Sequence, residues 1–180
     1  VTTLLVKTGP GKLGAQYRMA YGYALKKGYQ GVVNMDGNGK DGPEAIPTFI
    51  SYLDRGFDYI QGSRYTDGGQ AINTPREREV ANRYLFAPIL SLAARRFYTD
   101  SSNGFRAYSR KLLLDPNLQL LRNAFSGYEI LFYVTARANR VGLKCLDIPV
   151  TRSYPPAGKT PTKITGWKKL DVLMMAIKAA

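Results

Sequence analysis

A cluster of side chains that could bind a metal ion and a phosphate follows an apolar segment. The run at 32–35 ends in Asp36, and Asn38 and Lys40 follow at intervals of two residues, separated by glycines. An Asp-x-Asn pair offers two hard oxygen ligands, which can hold one face of Mg²⁺ or Mn²⁺ while a diphosphate supplies further oxygens. We therefore predict a metal site with Asp36 and Asn38 as ligands. An ordinary Asn-Gly turn, whose side chain bonds the local backbone, is the alternative.

A glycine-rich segment earlier in the chain suggests a different chemistry. Residues 9–14 read GPGKLG and match the G-x-G-x-x-G pattern of dinucleotide-binding folds, with Asp36 at the end of the next predicted strand. Such a fold uses a single carboxylate to bind the ribose, whereas Asp36 begins a dense polar cluster. NAD(P) binding at 9–14 therefore stays as an alternative hypothesis.

The composition excludes several kinds of site and indicates an acidic partner. The 180 residues include no histidine, which excludes His-dependent triads and His metal sites. The single Cys145 cannot form a disulfide within the chain, and we expect it to be buried. The net charge of +13 predicts binding to nucleic acid, to a phosphorylated substrate or to an anionic membrane surface.

Nucleic-acid binding is the broadest of these possibilities. The basic charge and the thirteen tyrosines would suit phosphate contacts and base stacking. The sequence has, however, no helix-turn-helix signature, no RNP-like aromatic strand and no zinc-binding pattern. Its cations fall instead in predicted loops at the ends of strands. We therefore expect no nucleic-acid partner.

The strands and helices decide where these side chains meet. Apolar and β-branched runs predict strands, whereas apolar residues at helical spacing predict helices. The predicted strands are 2–6, 31–35, 57–61, 104–109 and 142–150. The predicted helices are 11–27, 43–54, 77–97, 127–140 and 166–179, with a polar loop at 62–75. This alternation predicts a single α/β domain with a mostly parallel sheet flanked by helices, and places Asp36 at the carboxyl end of a central strand, where ligands bind.

Three longer motifs occur in a fixed order along the chain. They are NMDGNGKDGPEAIPTFISYLDRGFDYIQGSRY, TDSSNGFRAYSRKLL and DIPVTRSYPPAGKTPTKI, which lie between residues 34 and 164. The similarity that they carry extends over about residues 7–166. In this order they resemble the family-2 glycosyltransferases of the polyprenyl-phosphate (dolichol-phosphate mannose synthase-like) type. The resemblance implies a GT-A-like catalytic domain over 1–165. It also implies an inverting hexosyltransferase that moves a sugar from a nucleotide-sugar donor to a polyprenyl phosphate.

The resemblance also assigns roles to individual residues. The donor diphosphate is expected at Asp36, Asn38 and Lys40, with Mg²⁺ or Mn²⁺ as cofactor. The cations expected to bind the acceptor phosphate are Arg64, Arg78, Arg152 and Lys163. The residues expected to be catalytic are Asp36, Asp100, Arg106 and Glu129, with Asn103 matching the same motif as Asp100 and Arg106.

The chain departs from the family pattern in two places. Asn38 stands where the family has a second carboxylate, and Lys40 stands where it often has Gln. Asn brings no charge, and Lys40 could bond a diphosphate directly, so the site could also work with a weakly bound metal or with none. The family also begins about two βα units before Val1, so we expect the chain to lack the segment that holds the base and ribose.

The acceptor could be a lipid phosphate or a sugar hydroxyl. A neutral hydroxyl needs a carboxylate base, and Glu129 lies where hydroxyl-glycosylating relatives carry theirs. A phosphate is already ionised near neutral pH and needs cations instead, so the set of basic residues favours the lipid phosphate.

Two apolar segments suggest contact with a membrane. Residues 83–98 have an apolar body between arginines, and 166–180 predict a basic amphipathic helix. Both fit helices that lie in a membrane interface, although either could instead cover the sheet as core. We expect a cytoplasmic protein bound peripherally to the inner face of a membrane.

Overall fold

The computed structural model describes residues 3–156, which form two sheets surrounded by helices. The strands are β1 Gly31–Asn34, β2 Tyr59–Ser63, β3 Gln70–Ile72, β4 Arg106–Ser109, β5 Cys145–Pro149 and β6 Thr151–Ser153. The main sheet has the order β1-β4-β2-β5, and β3 pairs in parallel with β6 in a second sheet. The prediction of an α/β fold with a sheet flanked by helices is confirmed.

The main sheet is mixed, so the prediction of a mostly parallel sheet is wrong. β4 runs antiparallel to both β1 and β2, and only β2 and β5 form a parallel ladder. The cause is the long connection 64–105, which leaves β2 and enters β4 at the same end of the sheet. The two ends of this connection lie side by side, because the amide of Gly62 donates to the carbonyl of Phe105 (2.9 Å). The strands β1, β2 and β5 run in one direction, so their carboxyl ends lie at the same end of the sheet.

The helices described follow the predicted positions, except for a short helix at Arg110–Leu113 that the sequence did not predict. They are α1 Leu13–Lys26, α2 Ile46–Asp54, α3 Arg76–Ala81, α4 Ala87–Ala94, α5 Arg110–Leu113 and α6 Glu129–Arg137. A 3₁₀ turn at Pro43–Ala45 precedes α2, and a π-helical segment at Asn82–Phe86 joins α3 to α4. Within residues 3–156, none of the helices is long and apolar enough to cross a membrane.

Two other predictions of secondary structure are wrong. Residues 3–8 form no strand, and Leu4 and Val6 are exposed, because β-branched residues extend into a strand only where a neighbouring strand offers a ladder. The predicted loop 62–75 contains β3, which exists because β6 lies alongside it. The predicted helix 166–179 lies outside the described residues.

The core is built on both faces of the main sheet. Alternate residues of a strand face opposite sides, and Tyr59 and Tyr108 face α1 and α6 while Ile60 faces Phe49 of α2. Cys145 is buried in the first of these clusters, as expected. The sheet is thereby fixed from both sides, and its carboxyl edge carries the loops that hold the polar residues.

Candidate active site

The loop after β1 holds Asp36 against Arg152 of the second sheet. Asp36 follows the end of β1 by two residues, although β1 lies at the edge of the main sheet and not, as predicted, at its centre. Arg152 Nη2 donates to Asp36 Oδ2 (3.1 Å), and its Nη1 donates to Asp41 Oδ1 (2.5 Å). Arg152 thus bridges two carboxylates that the sequence places on one loop.

Asp41 is the buried member of this pair. Burial raises the pKa of its carboxyl above the ordinary value, although the charge and hydrogen bond of Arg152 act in the opposite direction. Its side chain is fully shielded from solvent, whereas that of Asp36 is 36% exposed. Asp36 is therefore the carboxylate that a ligand can reach.

Asn38 adopts the turn that was the alternative to metal binding. Its Oδ1 accepts from the backbone amide of Lys40 (3.2 Å), and its Nδ2 donates to Asp36 Oδ2 (3.3 Å). The amide oxygen would have to leave Lys40 to reach a cation beside Asp36. In the part of the chain that the structure describes, no three acidic or cysteine side chains form a metal-binding group. The donor set offered to Mg²⁺ or Mn²⁺ is thus one carboxylate and one amide oxygen, which fits only if a substrate supplies the remaining ligands.

A second polar centre joins Arg64 to Asp100. Arg64 lies just after β2, and its guanidinium donates to both carboxylate oxygens of Asp100 (2.6 and 2.9 Å). Asp100 also accepts from Asn82 Nδ2 (3.0 Å), and Arg64 donates to the hydroxyl of Ser102 (2.9 Å). Both charged residues are buried. In this arrangement Asp100 orients Arg64, and only the remaining nitrogen of Arg64 can turn towards a phosphate.

Arg106 is fully buried and is bonded entirely inside the protein. It donates to the carbonyls of Ser101, Asn103 and Leu131 (2.8 Å each) and to the hydroxyl of Thr135 (3.1 Å). These bonds fasten the loop before β4 to α6. The guanidinium therefore acts on the site through loop 101–105 in this structure, without direct access to a substrate.

Gly104 shows why the same motif needs a glycine. A Cβ on Gly104 would lie 3.2 Å from Asp36 Oδ1, which is tighter than ordinary contact. The Gly-Phe-Arg segment and the Asp-x-Asn segment, far apart in sequence, therefore meet at the Asp36 carboxylate.

Glu129 stands at the start of α6 and binds the backbone before it. Its Oε1 accepts from the amides of Ser126 and Gly127, the second at 2.6 Å. The carbonyl of Ser126 accepts in turn from the amides of Lys12 (2.8 Å) and Gly14 (3.1 Å). Glu129 thus shapes the turn on which α1 begins.

The same contacts explain the glycine-rich segment 9–14. A Cβ on Gly14 would meet the carbonyls of Phe125 and Gly127 within 3 Å, and Gly11 has a left-handed φ of 98°. These glycines serve the packing of α1 against the turn before α6. Residues 3–8 also lack the strand that a dinucleotide-binding fold needs ahead of the pattern. The NAD(P) hypothesis is therefore not supported.

Tyr154 is one residue of this region that the sequence did not single out. Its ring lies 4.8 Å from Lys40 Nζ, and 5.8 and 5.9 Å from the guanidinium carbons of Arg152 and Arg78. The available signal was its position two residues after Arg152, which places both side chains on one face of an extended segment. Lys163 lies outside the described residues.

Known proteins similar to the chain are sugar transferases that act on lipid phosphates. No protein-family model matches the chain. Over 81% of its length it is 30% identical to a polyprenol monophosphomannose synthase of Mycolicibacterium smegmatis, of which it covers 54%. It is 28% identical over 82% of its length to an undecaprenyl-phosphate mannosyltransferase of Micrococcus luteus, of which it covers 59%.

A third similar protein is also named for transfer to a lipid phosphate. A dolichyl-phosphate hexose transferase of Haloferax volcanii is 30% identical over 58% of the chain, which covers 48% of that protein. The chain therefore spans about half the length of the curated relatives it matches. These relatives confirm the resemblance indicated by the three motifs.

Proposed function

We propose that the chain, a homologue of polyprenyl-phosphate sugar transferases, moves a hexose from a nucleotide-sugar donor to a polyprenyl phosphate with inversion, on a GT-A-like fold. The observation that carries this proposal is the convergence of Lys40, Arg78 and Arg152 around one ring beside Asp36. These residues come from three separate segments, and a reaction between a diphosphate and a phosphate requires such a concentration of positive charge.

The reaction exchanges one phosphate ester for another at the anomeric carbon. An oxygen of the acceptor phosphate attacks this carbon while the bond to the donor's diphosphate oxygen breaks, and the nucleoside diphosphate leaves with the bonding electrons. The attacking oxygen is already ionised, so the step needs no strong base. The barrier falls chiefly because fixed cations stabilise the charge that develops on the leaving diphosphate.

Each cation then has a place in the proposed reaction. Lys40 belongs to the loop of Asp36 and faces the donor diphosphate. Arg78 and Arg152 approach the same ring from α3 and β6 and face the acceptor phosphate. Arg64 is oriented by Asp100, and its remaining nitrogen supplements the acceptor side.

A divalent cation fits this site as a supplement. Asp36 and Asn38 would hold Mg²⁺ or Mn²⁺, which when bound supplies positive charge to the donor diphosphate. Asp36 would share its carboxylate between this ion and Arg152, and Asn38 would turn its amide oxygen away from Lys40. With only one protein carboxylate exposed to the ion, we expect weak affinity in the absence of a diphosphate.

We also propose that exposed apolar side chains of the segment 76–98 rest on an anionic membrane. Tyr84, Leu92 and Phe97 are 76, 83 and 78% exposed, although each is strongly apolar or amphipathic. The exposed Arg83 and Arg95 lie beside them and complement anionic headgroups. A lipid acceptor would reach the site from this side, because Asn82, which belongs to the same segment, contacts Asp100.

Transfer and membrane binding can be tested separately. The full-length protein should transfer label from a nucleotide-linked hexose to a short polyprenyl phosphate. In it Asp36→Ala should abolish transfer, and Asp54→Ala, which removes an exposed acid at the end of α2, should not. Wild type should sediment with phosphatidylglycerol vesicles and not with phosphatidylcholine vesicles, and Leu92→Glu should weaken that sedimentation. Transfer to a sugar hydroxyl in place of the phosphate would contradict the proposed acceptor.

A further inference from the structure

Hydrogen bonds to the end of the second sheet hold the backbone of Tyr154 in place. It follows β6 directly, and its amide donates to the carbonyl of Ile72 (2.9 Å) at the end of β3. Its own carbonyl accepts from Asn73 Nδ2 (3.2 Å), and its side chain is buried. The position of the ring is therefore fixed by the backbone of two strands.

Around this fixed ring stand cations that would otherwise repel one another. Lys40, Arg78 and Arg152 belong to the loop after β1, to α3 and to β6, and all three lie within 6 Å of the ring centre. The face of an aromatic ring attracts cations at such distances. The ring thus offsets part of the repulsion between the three positive charges, and all three side chains have it as a common contact.

The phenol oxygen adds a second attraction. Burial alone would raise the pKa of Tyr154, but hydrogen bonding and charge from Arg152, the charge of Arg64 and hydrogen bonding from Arg78 outweigh it and lower the pKa. An oxygen surrounded in this way resembles a phosphate oxygen in its electrostatic surroundings. The tyrosine hydroxyl therefore occupies an environment suited to an anion.

The cations around Tyr154 were assigned to two different ligands. Lys40 was predicted to face the donor diphosphate, and Arg78 and Arg152 the acceptor phosphate. The structure brings both groups to one side chain, so a shift of the ring would disturb both phosphates at once. Proteins place catalytic charges best when their supporting groups are themselves rigid.

We propose that Tyr154 is a positioning residue that gathers Lys40, Arg78 and Arg152 into a single anion site shared by the donor diphosphate and the acceptor phosphate. The ring aligns the three cations, and the hydroxyl fixes the two guanidinium groups while no phosphate is bound. This inference rests on the proposed function, because it assigns a supporting residue to the same site.

The test measures anion binding directly and does not depend on sugar transfer. Inorganic pyrophosphate is titrated into the chain by calorimetry in a metal-free buffer. Tyr154→Phe keeps the ring and removes the hydroxyl that holds the two guanidinium groups in place, so we expect its Kd to rise about five- to tenfold, the effect of losing one typical hydrogen bond. Tyr154→Leu removes both, and its Kd should rise further. The matched controls are Tyr52→Phe and Tyr52→Leu, because Tyr52 has Arg55 4.7 Å from its ring at a distant position.

A second measurement separates positioning from a merely structural role. If Tyr154 acts through Arg78, the losses caused by Tyr154→Phe and Arg78→Ala should not add in the double variant, whereas independent effects should add. Unchanged pyrophosphate affinity in Tyr154→Phe, or additive losses, would overturn the inference. Failure of wild type to bind pyrophosphate at all would instead contradict the proposed phosphate site, so the two failures are distinguishable. Since Tyr154→Phe keeps the ring and removes a single oxygen atom, it decides the question even if Tyr154→Leu does not fold.

Discussion

Arg64 and Asp100 form a buried, two-pronged ion pair, with Arg64 Nε 2.6 Å from Asp100 Oδ2 and Nη2 2.9 Å from Oδ1. The carboxylate also accepts hydrogen bonds from the backbone amide of Arg64 (3.2 Å) and from the side chain of Asn82 (3.0 Å). A carboxylate that accepts this many bonds is an organising centre. It links the end of β2, the helical segment after α3 and the loop before β4.

Asp100→Ala should therefore destabilise the fold strongly. Removing one partner of a buried ion pair leaves the other charge uncompensated, which costs about 3–5 kcal/mol. The matched control is Glu79→Ala, which removes the i,i+4 partner of Arg83 on the surface, where side chains 35 and 46% exposed interact. Such a pair is worth about 1 kcal/mol or less. Urea denaturation of both variants measures the difference, and equal losses would show that the buried pair has no special structural role.

Gly104→Ala should impair activity more than stability. The added methyl group would lie 3.2 Å from Asp36 Oδ1, so the carboxylate must move by a few tenths of an ångström. A displaced Asp36 would hold Arg152 and the proposed metal ion less well. We expect a several-fold loss of kcat/KM with a small change in melting temperature. Gly22→Ala in α1, where a methyl group has open space, is the control and should keep full activity.

Asn38→Asp should increase the affinity for Mn²⁺. The new carboxylate could accept from the amide of Lys40 with one oxygen, as Asn38 does now (3.2 Å), and direct its other oxygen towards Asp36. Two facing carboxylates repel each other until a cation binds between them. Calorimetric titration with Mn²⁺ measures the gain, with Asn123→Asp on a surface loop as the control. Unchanged or weaker binding would show that Asn38 is not a metal ligand.

Glu129→Gln should retain a substantial fraction of the transfer activity. Glutamine keeps an oxygen that can accept from the amides of Ser126 and Gly127, so the turn before α6 should persist. Glu129→Ala loses this acceptor and should cost about 1 kcal/mol of stability, the net value of a typical hydrogen bond. Transfer to a polyprenyl phosphate is compared across pH. A loss of several orders of magnitude in a folded Glu129→Gln variant would identify Glu129 as a general base and favour a hydroxyl acceptor.

Tyr154 should ionise below the ordinary tyrosine range. Burial raises its pKa, but the bonds and charges of Arg152, Arg64 and Arg78 lower it below 10 overall. The folded chain then releases this proton before the unfolded chain does. Tyr154 therefore adds to the free energy of unfolding above the unfolded pKa, and this contribution is lost as pH falls through the folded pKa.

Ultraviolet titration of the phenolate signal checks this assignment. Tyr154→Phe should remove an early step of the titration. Tyr65→Phe should leave that step unchanged, because burial raises the pKa of Tyr65 to about 12. An early step that survives in Tyr154→Phe would assign the low pKa to another tyrosine.

Local sequence patterns predicted the elements but not the partners of the charged residues. The helix beginning near Pro43 and the strand before Asp36 follow from apolar spacing and helix-start signals, which act over a few residues. The Arg152–Asp41 pair joins positions 111 residues apart, and its existence depends on β6 lying beside the loop after β1. Periodicity carries no information about such a distance.

The direction of β4 escaped prediction for a related reason. Its apolar pattern indicates a strand equally well in either direction. The direction of β4 depends on the end of the sheet at which the connection 64–105 returns the chain. The burial of Arg106 was equally unpredictable, because an arginine satisfied by backbone carbonyls has the same sequence signature as one that faces a ligand.

The π-helical segment Asn82–Phe86 determines which side chains of this region face inward and which face solvent. Asn82 points inward to Asp100, while Tyr84 a half-turn later is 76% exposed. A π-helical turn contains an extra residue, and each residue rotates a helix by about 100°. The number of residues in this segment therefore sets which of the following side chains face inward and which face solvent. The fold should tolerate single substitutions at the exposed Arg83, Tyr84 and Leu85, whereas deleting one residue would turn the following helix face away from its present direction.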